Sequence, residues 1–307
     1  MKKIKNTIVA FVLFLSLQSY AQQSPHYTQY MYNMNILNPA YAGARADLSI
    51  GLLARKQWVG IEGAPETQTF SANARTINGV GLGLSVVHDK LGLADATNFN
   101  VDMSYTLVTS IYSRLAFGLK GGFSTYSNNL SQGITPDNNS NGDLSGIYPN
   151  FGLGAFYYNQ EFYVGLSIPQ LFKTPEFKID NNTYSGGISK KLNYFATFGY
   201  VFNLNEKVKF KPSTLIKLST DLPLSVDINA NVLYNKKVEF GVSYRYNDSV
   251  HGMVALLFNE NIRIGYAYDH TLTKLGNFNS GTHEIMLLFD IGFKKRGRWL
   301  NDSSCYF

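Results

Sequence analysis

The sequence predicts an all-β fold, a transmembrane antiparallel β-barrel of about fourteen strands, on three observations. First, apolar and polar residues alternate from Ala46 onward. Phe99, Val101, Met103, Tyr105 and Leu107 share one face, and Asn98, Asn100, Asp102, Ser104 and Thr106 share the other, as the one-up, one-down geometry of a strand requires. Second, the alternating segments are long. Most exceed the soluble strand of about 5–6 residues and match a tilted membrane strand of about 9–11. Third, the connections are unequal. Tight turns follow every second segment, and four of the others are long, at 90–96, 127–147, 170–188 and 271–280. Short turns at one end and long loops at the other build an outer-membrane barrel, with both termini on the short-turn, periplasmic side. A soluble β-sandwich or propeller would share the alternation. Strand length, loop asymmetry and Tyr and Phe near strand ends favour the barrel.

The chain opens with a basic stretch (Lys2, Lys3, Lys5), an apolar run from Ile8 to Leu17 and a small-residue site at Ser19-Tyr20-Ala21. This is the pattern of a signal peptide over residues 1–21, the apolar run being well short of the roughly 20 residues of a membrane-spanning helix. Gln22 follows where a lipoprotein would carry Cys.

Residues 22–45 are polar and aromatic with no sustained period: Tyr27, Gln29, Tyr30, Met31, Tyr32, Asn33. A barrel this wide is not easily filled by its own wall side chains. The segment is therefore expected to enter the lumen as a plug, with Asn38-Pro39-Ala40 turning the chain into the first strand. The barrel itself is expected over 46–293. Its strands fall at about 46–57, 66–76, 79–89, 97–109, 113–126, 148–159, 161–169, 189–203, 207–219, 223–235, 237–247, 250–259, 261–270 and 281–293. Its polar face carries Asp102, Arg114, Lys120, Asp227, Glu239, Arg245, Arg263 and Asp269, mixed charges that can pair across strands inside the lumen. A basic tail, 294–307, completes the chain.

The net charge of +6 overstates the basic character. Three of the lysines sit in the signal and Lys294, Lys295, Arg296 and Arg298 in the tail, so the body is near neutral. A nucleic-acid partner would call for a basic stripe with spaced aromatics, and none is visible. Cys305 is the single cysteine, which leaves no internal disulfide or cysteine-based zinc site. With 21 Tyr, 21 Phe, 27 Gly and 9 Pro, the composition suits strands and turns.

Several motifs fail on context. Gly79-Val80-Gly81-Leu82-Gly83 has a phosphate-loop look, but its glycines recur at every second position and no helix pattern follows; small inward residues in a curved wall are expected instead. Asp137 to Asp143 opens like a calcium loop, yet Tyr148 stands where the bidentate Glu belongs. The five histidines show no catalytic grouping and no GxSxG elbow exists. No enzyme, metal site or cofactor is expected.

Two runs stand out: Asn38-Pro39-Ala40-Tyr41-Ala42-Gly43 upstream of the strands, and Arg55-x-Gln57-Trp58-x-Gly60-x-x-Gly63-Ala64-Pro65-x-Thr67-Gln68, which breaks the alternation. With Gln29-Tyr30-Met31, Asp269-His270-Thr271-Leu272 and His283-Glu284-Ile285-Met286-Leu287, they resemble the PorP/SprF family of type IX secretion membrane proteins. The likeness runs from the start of the mature chain to the last strand. It implies an outer-membrane barrel of Bacteroidetes that works with the type IX machinery. Such a barrel assists export or surface retention of a large partner, often a gliding adhesin, recognised by a C-terminal sorting domain. Asn38-Pro39-Ala40 also resembles the hatch motif of FadL-like channels, so a channel for small hydrophobic molecules is the alternative.

Counting strands from a periplasmic start puts Trp58 to Glu66 in the first outward loop. Gly60, Gly63 and Pro65 suit a tight, pre-ordered turn. Trp58 suits either a partner pocket or the interfacial belt. Arg55, Gln57, Trp58, Gly60, Gly63, Ala64, Pro65, Thr67 and Gln68 are the candidate partner-binding residues, and Asn38, Pro39, Ala40, Tyr41 and Gly43 the candidate plug motif. The remaining contact of the wall is outer-membrane lipid.

Overall fold

The computed structural model describes residues 27–45, 48–129, 144–171, 174–180, 183–189, 192–219, 223–259 and 261–292. The expected signal peptide, the basic tail and the loop at 137–143 lie outside them.

Strands β1 (Leu48–Lys56), β2 (Glu66–Arg75), β3 (Val80–Leu91), β4 (Ala94–Val108), β5 (Arg114–Asn128), β6 (Leu144–Tyr158) and β7 (Phe162–Ile168) form a continuous antiparallel meander. β8 (Thr174–Asp180) and β9 (Thr183–Ser189) pair with each other in a separate hairpin. The meander resumes with β10 (Asn193–Tyr200) and its short continuation β11 (Phe202–Asn203). It then runs through β12 (Val208–Ser219), β13 (Ser225–Tyr234), β14 (Val238–Arg245), β15 (Ser249–Leu257), β16 (Ile262–Thr271) and β17 (Thr282–Ile291). β1 pairs with β17, so the sheet closes on itself. Counting β10 with β11 as one, the wall is a closed 14-strand antiparallel barrel.

Alternation places the side chains as the sequence predicts. Val101, Met103, Tyr105, Phe117, Leu119, Ile228, Phe240 and Val242 are exposed on the outer face. Asp102, Lys120, Asp227, Glu239, Arg245, Arg263 and Asp269 are buried inside. Arg114 does not join them: it caps the β4–β5 turn, donating to the carbonyls of Ser110 and Ser113, both at 2.9 Å. On the short-turn end, rings run in a chain around the outside, Tyr157 to Phe162 to Tyr200 to Phe202 to Phe210. This is an aromatic band of the kind that settles at a membrane interface.

Four stretches differ from the sequence reading, the loop expected at 127–147 among them, since β5 and β6 pair as far as Asn128 and Leu144. The loop expected at 90–96 is a two-residue turn, Gly92-Leu93, because β3 and β4 pair as far as Leu91 and Ala94. The loop expected at 170–188 contains the β8–β9 hairpin. The strand expected from 189 begins at Asn193 and is interrupted at Val201.

The β6–β7 seam is also short. β7 pairs with Leu153–Tyr158, while β5 pairs with β6 along its whole length. The Asn159 N–H bonds to the Phe162 carbonyl and the Phe151 carbonyl accepts from Leu171, so odd-numbered residues turn their backbone groups toward β7. Pro149 falls in that phase and has no N–H to offer, a reason for the ladder to stop below it.

Residues Tyr27 to Arg45 occupy the interior. They form short turns, Tyr30–Tyr32, Met34–Leu37 and Pro39–Tyr41, and nearly all are buried. Tyr30, Met31, Met34, Leu37, Ala40 and Tyr41 pack with Phe156, Tyr163, Met286 and Leu288 of the wall into one apolar cluster. The segment has a direction. Thr28 bonds to Asp269 and Glu284 near the long-loop ends of their strands, and Arg45 to Asp290 at the short-turn end.

Candidate functional site

Alternation aims Arg55, Asp269 and Glu284 into the lumen from β1, β16 and β17, where all three are buried. Arg55 Nη2 lies 2.7 Å from Asp269 Oδ2, and Nη1 lies 2.9 Å from Glu284 Oε2 and 3.0 Å from Thr28 Oγ1. The Thr28 hydroxyl donates to the Asp269 carboxylate at 2.7 Å. Glu284 also accepts the backbone N–H groups of Thr28 (3.0 Å) and Gln29 (2.7 Å). His251 Nδ1 on β15 stands 2.8 Å from Asp269 Oδ1. Buried charges persist when paired, and here the pairing of Arg55 with Asp269 and Glu284 fastens the start of the described interior segment to the wall, with the buried Arg55 Nε left without an acceptor.

Further anchors follow the segment downward. Asn35 donates to Asp102 at 3.1 Å, and Lys120 bridges Asp102 at 2.7 Å and the Asn35 carbonyl at 3.3 Å. Arg45 pairs with Asp290 at 2.9 Å.

Between these anchors sits the Asn38–Gly43 run. The Asn38 Oδ1 accepts the Ala40 N–H at 2.9 Å and caps a turn whose first residue is Pro39, a position that needs no N–H. Its Nδ2 donates to the carbonyls of Ala155 (3.0 Å) and Leu166 (3.4 Å), bridging β6 and β7. Tyr41 meets Phe156 edge-on at 5.3 Å. Ser104 donates to the Ala42 carbonyl at 2.7 Å, and Arg75 to that of Gly43 at 2.7 Å. The wall makes room with glycine. A β-carbon at Gly118 would strike the Pro39–Ala40 backbone, one at Gly154 the Asn38 side chain, and one at Gly81 the Ala42 carbonyl.

The second run splits between two settings. Arg55 and Thr67 point inward and are buried. Gln68 faces outward, and Gln57, Trp58, Gly60, Gly63, Ala64 and Pro65 belong to the connection between β1 and β2. The Gln57 N–H bonds to the Pro65 carbonyl at 2.9 Å and closes this loop. Gly60 and Gly63 take positive φ, and so does Trp58, at 44°, a conformation that costs a bulky residue energy and is retained mainly at functional positions.

Backbone hydrogen bonds tie this loop to its neighbours. Val59 donates to Gly281 (2.9 Å) and accepts from Ser280 (2.7 Å), and Gly92 donates to Gly63 (2.9 Å). The β1–β2, β3–β4 and β16–β17 connections are thus one unit. Exposed apolar side chains stand on it, Phe278 at 74% and Leu272 at 52%. Sequence reasoning did not assign Phe278, Leu272, Thr28 or His251 a role. It quoted Glu284 without its partner, because pairing across strands is invisible to a one-dimensional pattern.

A closed antiparallel barrel with an apolar outer face, a charged interior and loops gathered at one end defines an outer-membrane β-barrel protein. The chain belongs to the PorP/SprF family, described as type IX secretion system membrane protein PorP/SprF, whose pattern matches residues 19–289. It is therefore an outer-membrane protein associated with the type IX secretion machinery. No curated protein matches it by sequence. Among solved structures it is similar to the CymD monoaromatic hydrocarbon channel, with 10% identity and TM-score 0.54 over 85% of this chain and 93% of that one. It is also similar to the Ralstonia pickettii toluene transporter TbuX, with 12% identity and TM-score 0.49 over 83% and 92%. For the Acinetobacter baumannii outer membrane protein Omp33 the values are 9% and 0.48 over 81% and 100%. At these identities the CymD likeness speaks to fold alone.

Proposed function

We propose that this barrel is a non-enzymatic component that assists export or cell-surface attachment of a specific partner protein, a large adhesin-like chain recognised by its C-terminal sorting domain. The tied outer loops are where that partner is met. The carrying observation is the backbone-bonded unit around Trp58, Val59 and Gly281, pre-ordered at the long-loop end and bearing exposed apolar side chains. Pre-ordered loops lose less entropy on binding, and aromatic anchors dominate interfaces. In this reading Arg55 and Thr67 hold the loop base, and Gln57, Trp58, Gly60, Gly63, Ala64 and Pro65 shape the contact.

Residues 27–45 act as a plug that denies the lumen to solutes. Their buried anchors at both ends support this role. The alternative, a conduit for small hydrophobic molecules, calls for a mostly apolar interior pocket. The lumenal cavity beside Tyr27 has mixed walls, Ile36, Leu37, Val87 and Phe195 with Asn98, Asn100, Asn150 and Lys120, and a volume of only about 90 Å³; that is well below the roughly 300–1,000 Å³ of a small-molecule pocket and favours the plugged reading.

Deletion of the gene followed by immunoblotting of surface proteins on intact cells tests the function. The partner should be lost from the surface and restored by the wild-type copy. An unchanged set of surface proteins would refute the proposal.

A further inference from the structure

Gly118 and Gly154, which face the Asn38–Ala40 run on the inside of the wall, also border a concavity on the outer face of the barrel. The concavity has a volume of about 970 Å³ and extends from β3 to β12. Its lining is aliphatic and aromatic, including Met103, Phe117, Leu119, Leu166 and Leu218. Tyr194 stands towards its long-loop end and Tyr105 towards its short-turn end.

We propose that this concavity is a binding site for an acyl chain of an outer-membrane lipid. It opens on the side of the wall that meets hydrocarbon, and its volume lies near the upper end of the roughly 300–1,000 Å³ typical of small-molecule pockets. Association between proteins within a bilayer lacks a hydrophobic driving force and relies on close packing of small residues and on polar groups. The lining carries no charged side chain, and large apolar groups surround its small ones, so a lipid chain suits it better than a membrane-protein partner. A lipid chain there fills the concavity, and the site does not depend on what the outer loops bind.

The purified full-length barrel, reconstituted in phosphatidylethanolamine–phosphatidylglycerol bilayers and extracted in mild detergent, is examined by native mass spectrometry. Wild type should retain bound phospholipid. Ala196→Trp, which fills the concavity, should lose it, while Val242→Trp, on the exposed outer face of β14, should keep it. Heat-modifiable migration on gels verifies folding, and Leu166→Trp replaces Ala196→Trp if that variant fails to fold. Spin-labelled phosphatidylglycerol gives a second readout, with an immobilised component present in wild type and absent in the filled variant. Wild type without retained lipid, a filled variant that keeps it, equal loss in Val242→Trp, or a second protein seated there instead would each overturn the proposal.

Discussion

Arg55 reaches past its own neighbour strand: its Nη2 pairs with Asp269 Oδ2 at 2.7 Å although β17 lies between β1 and β16. The intervening Glu284, register partner of Arg55, takes the other guanidinium nitrogen. One cation therefore spans three strands and, through Thr28, the interior segment.

Removing that cation strands two buried carboxylates. Arg55→Ala should destabilise the barrel by about 3–5 kcal/mol, the usual cost of breaking a buried pair from one side. Arg55→Lys should recover part of this, since a point charge cannot hold three partners in a fork. The temperature at which the folded band disappears on unheated-to-heated gel series reads the effect. An Arg55→Ala barrel as heat-resistant as wild type would show that the cluster contributes little.

Gly118→Val should expel the interior segment without opening the wall, because the added carbons occupy the place of the Pro39–Ala40 backbone. Limited proteolysis in detergent should then cut between Tyr27 and Arg45, where the wild type resists. Gly121→Ala on the same strand meets nothing within 4 Å and should behave as wild type. Equal resistance in both variants would contradict a tight socket.

Trp58→Gly separates backbone strain from contact. Glycine relieves about 1 kcal/mol of left-handed strain and returns a similar amount as unfolded-chain entropy of about 0.5–1 kcal/mol. Barrel stability should therefore hardly change while surface display of the partner falls. Normal display in a normally folded barrel would remove the Trp58 side chain from the contact.

The fourteen strands of the wall were legible in the sequence, and so were seven of the eight charges expected inside, all but Arg114, because one face meets hydrocarbon and the other does not. Where a hairpin extends beyond the apolar belt, both faces meet water and the alternation fades while the backbone pairing continues. That is why Ala94 to Ala96 read as loop although they pair with β3 and β5. Arg55 and Thr67 were grouped with the loop because the motif is contiguous in sequence. Only the phase of β1 and β2, in which every second residue is inward, assigns them to the lumen. The Asn38 turn was legible from its Asn-Pro order. The inward glycines were legible as small wall residues, but not that Gly81, Gly118 and Gly154 face the Asn38–Gly43 run.

Asn38→Asp offers a narrow test of the β6–β7 seam. The acceptor for the Ala40 N–H survives, but the two donations to Ala155 and Leu166 are replaced by repulsion between oxygens. Hydrogen exchange in β6 and β7 should quicken relative to wild type, while β14 and β15 stay unchanged. Uniform exchange across the barrel would mean that Asn38 matters only for its own turn.

The direction of the interior segment also fixes a parity. Fourteen strands return a chain to the side from which it entered, but Tyr27 to Arg45 adds one further transit. Tyr27 therefore lies buried toward the long-loop end and Ile291 at the short-turn end, so the two ends of the described chain do not share the side on which the strand count alone places both termini.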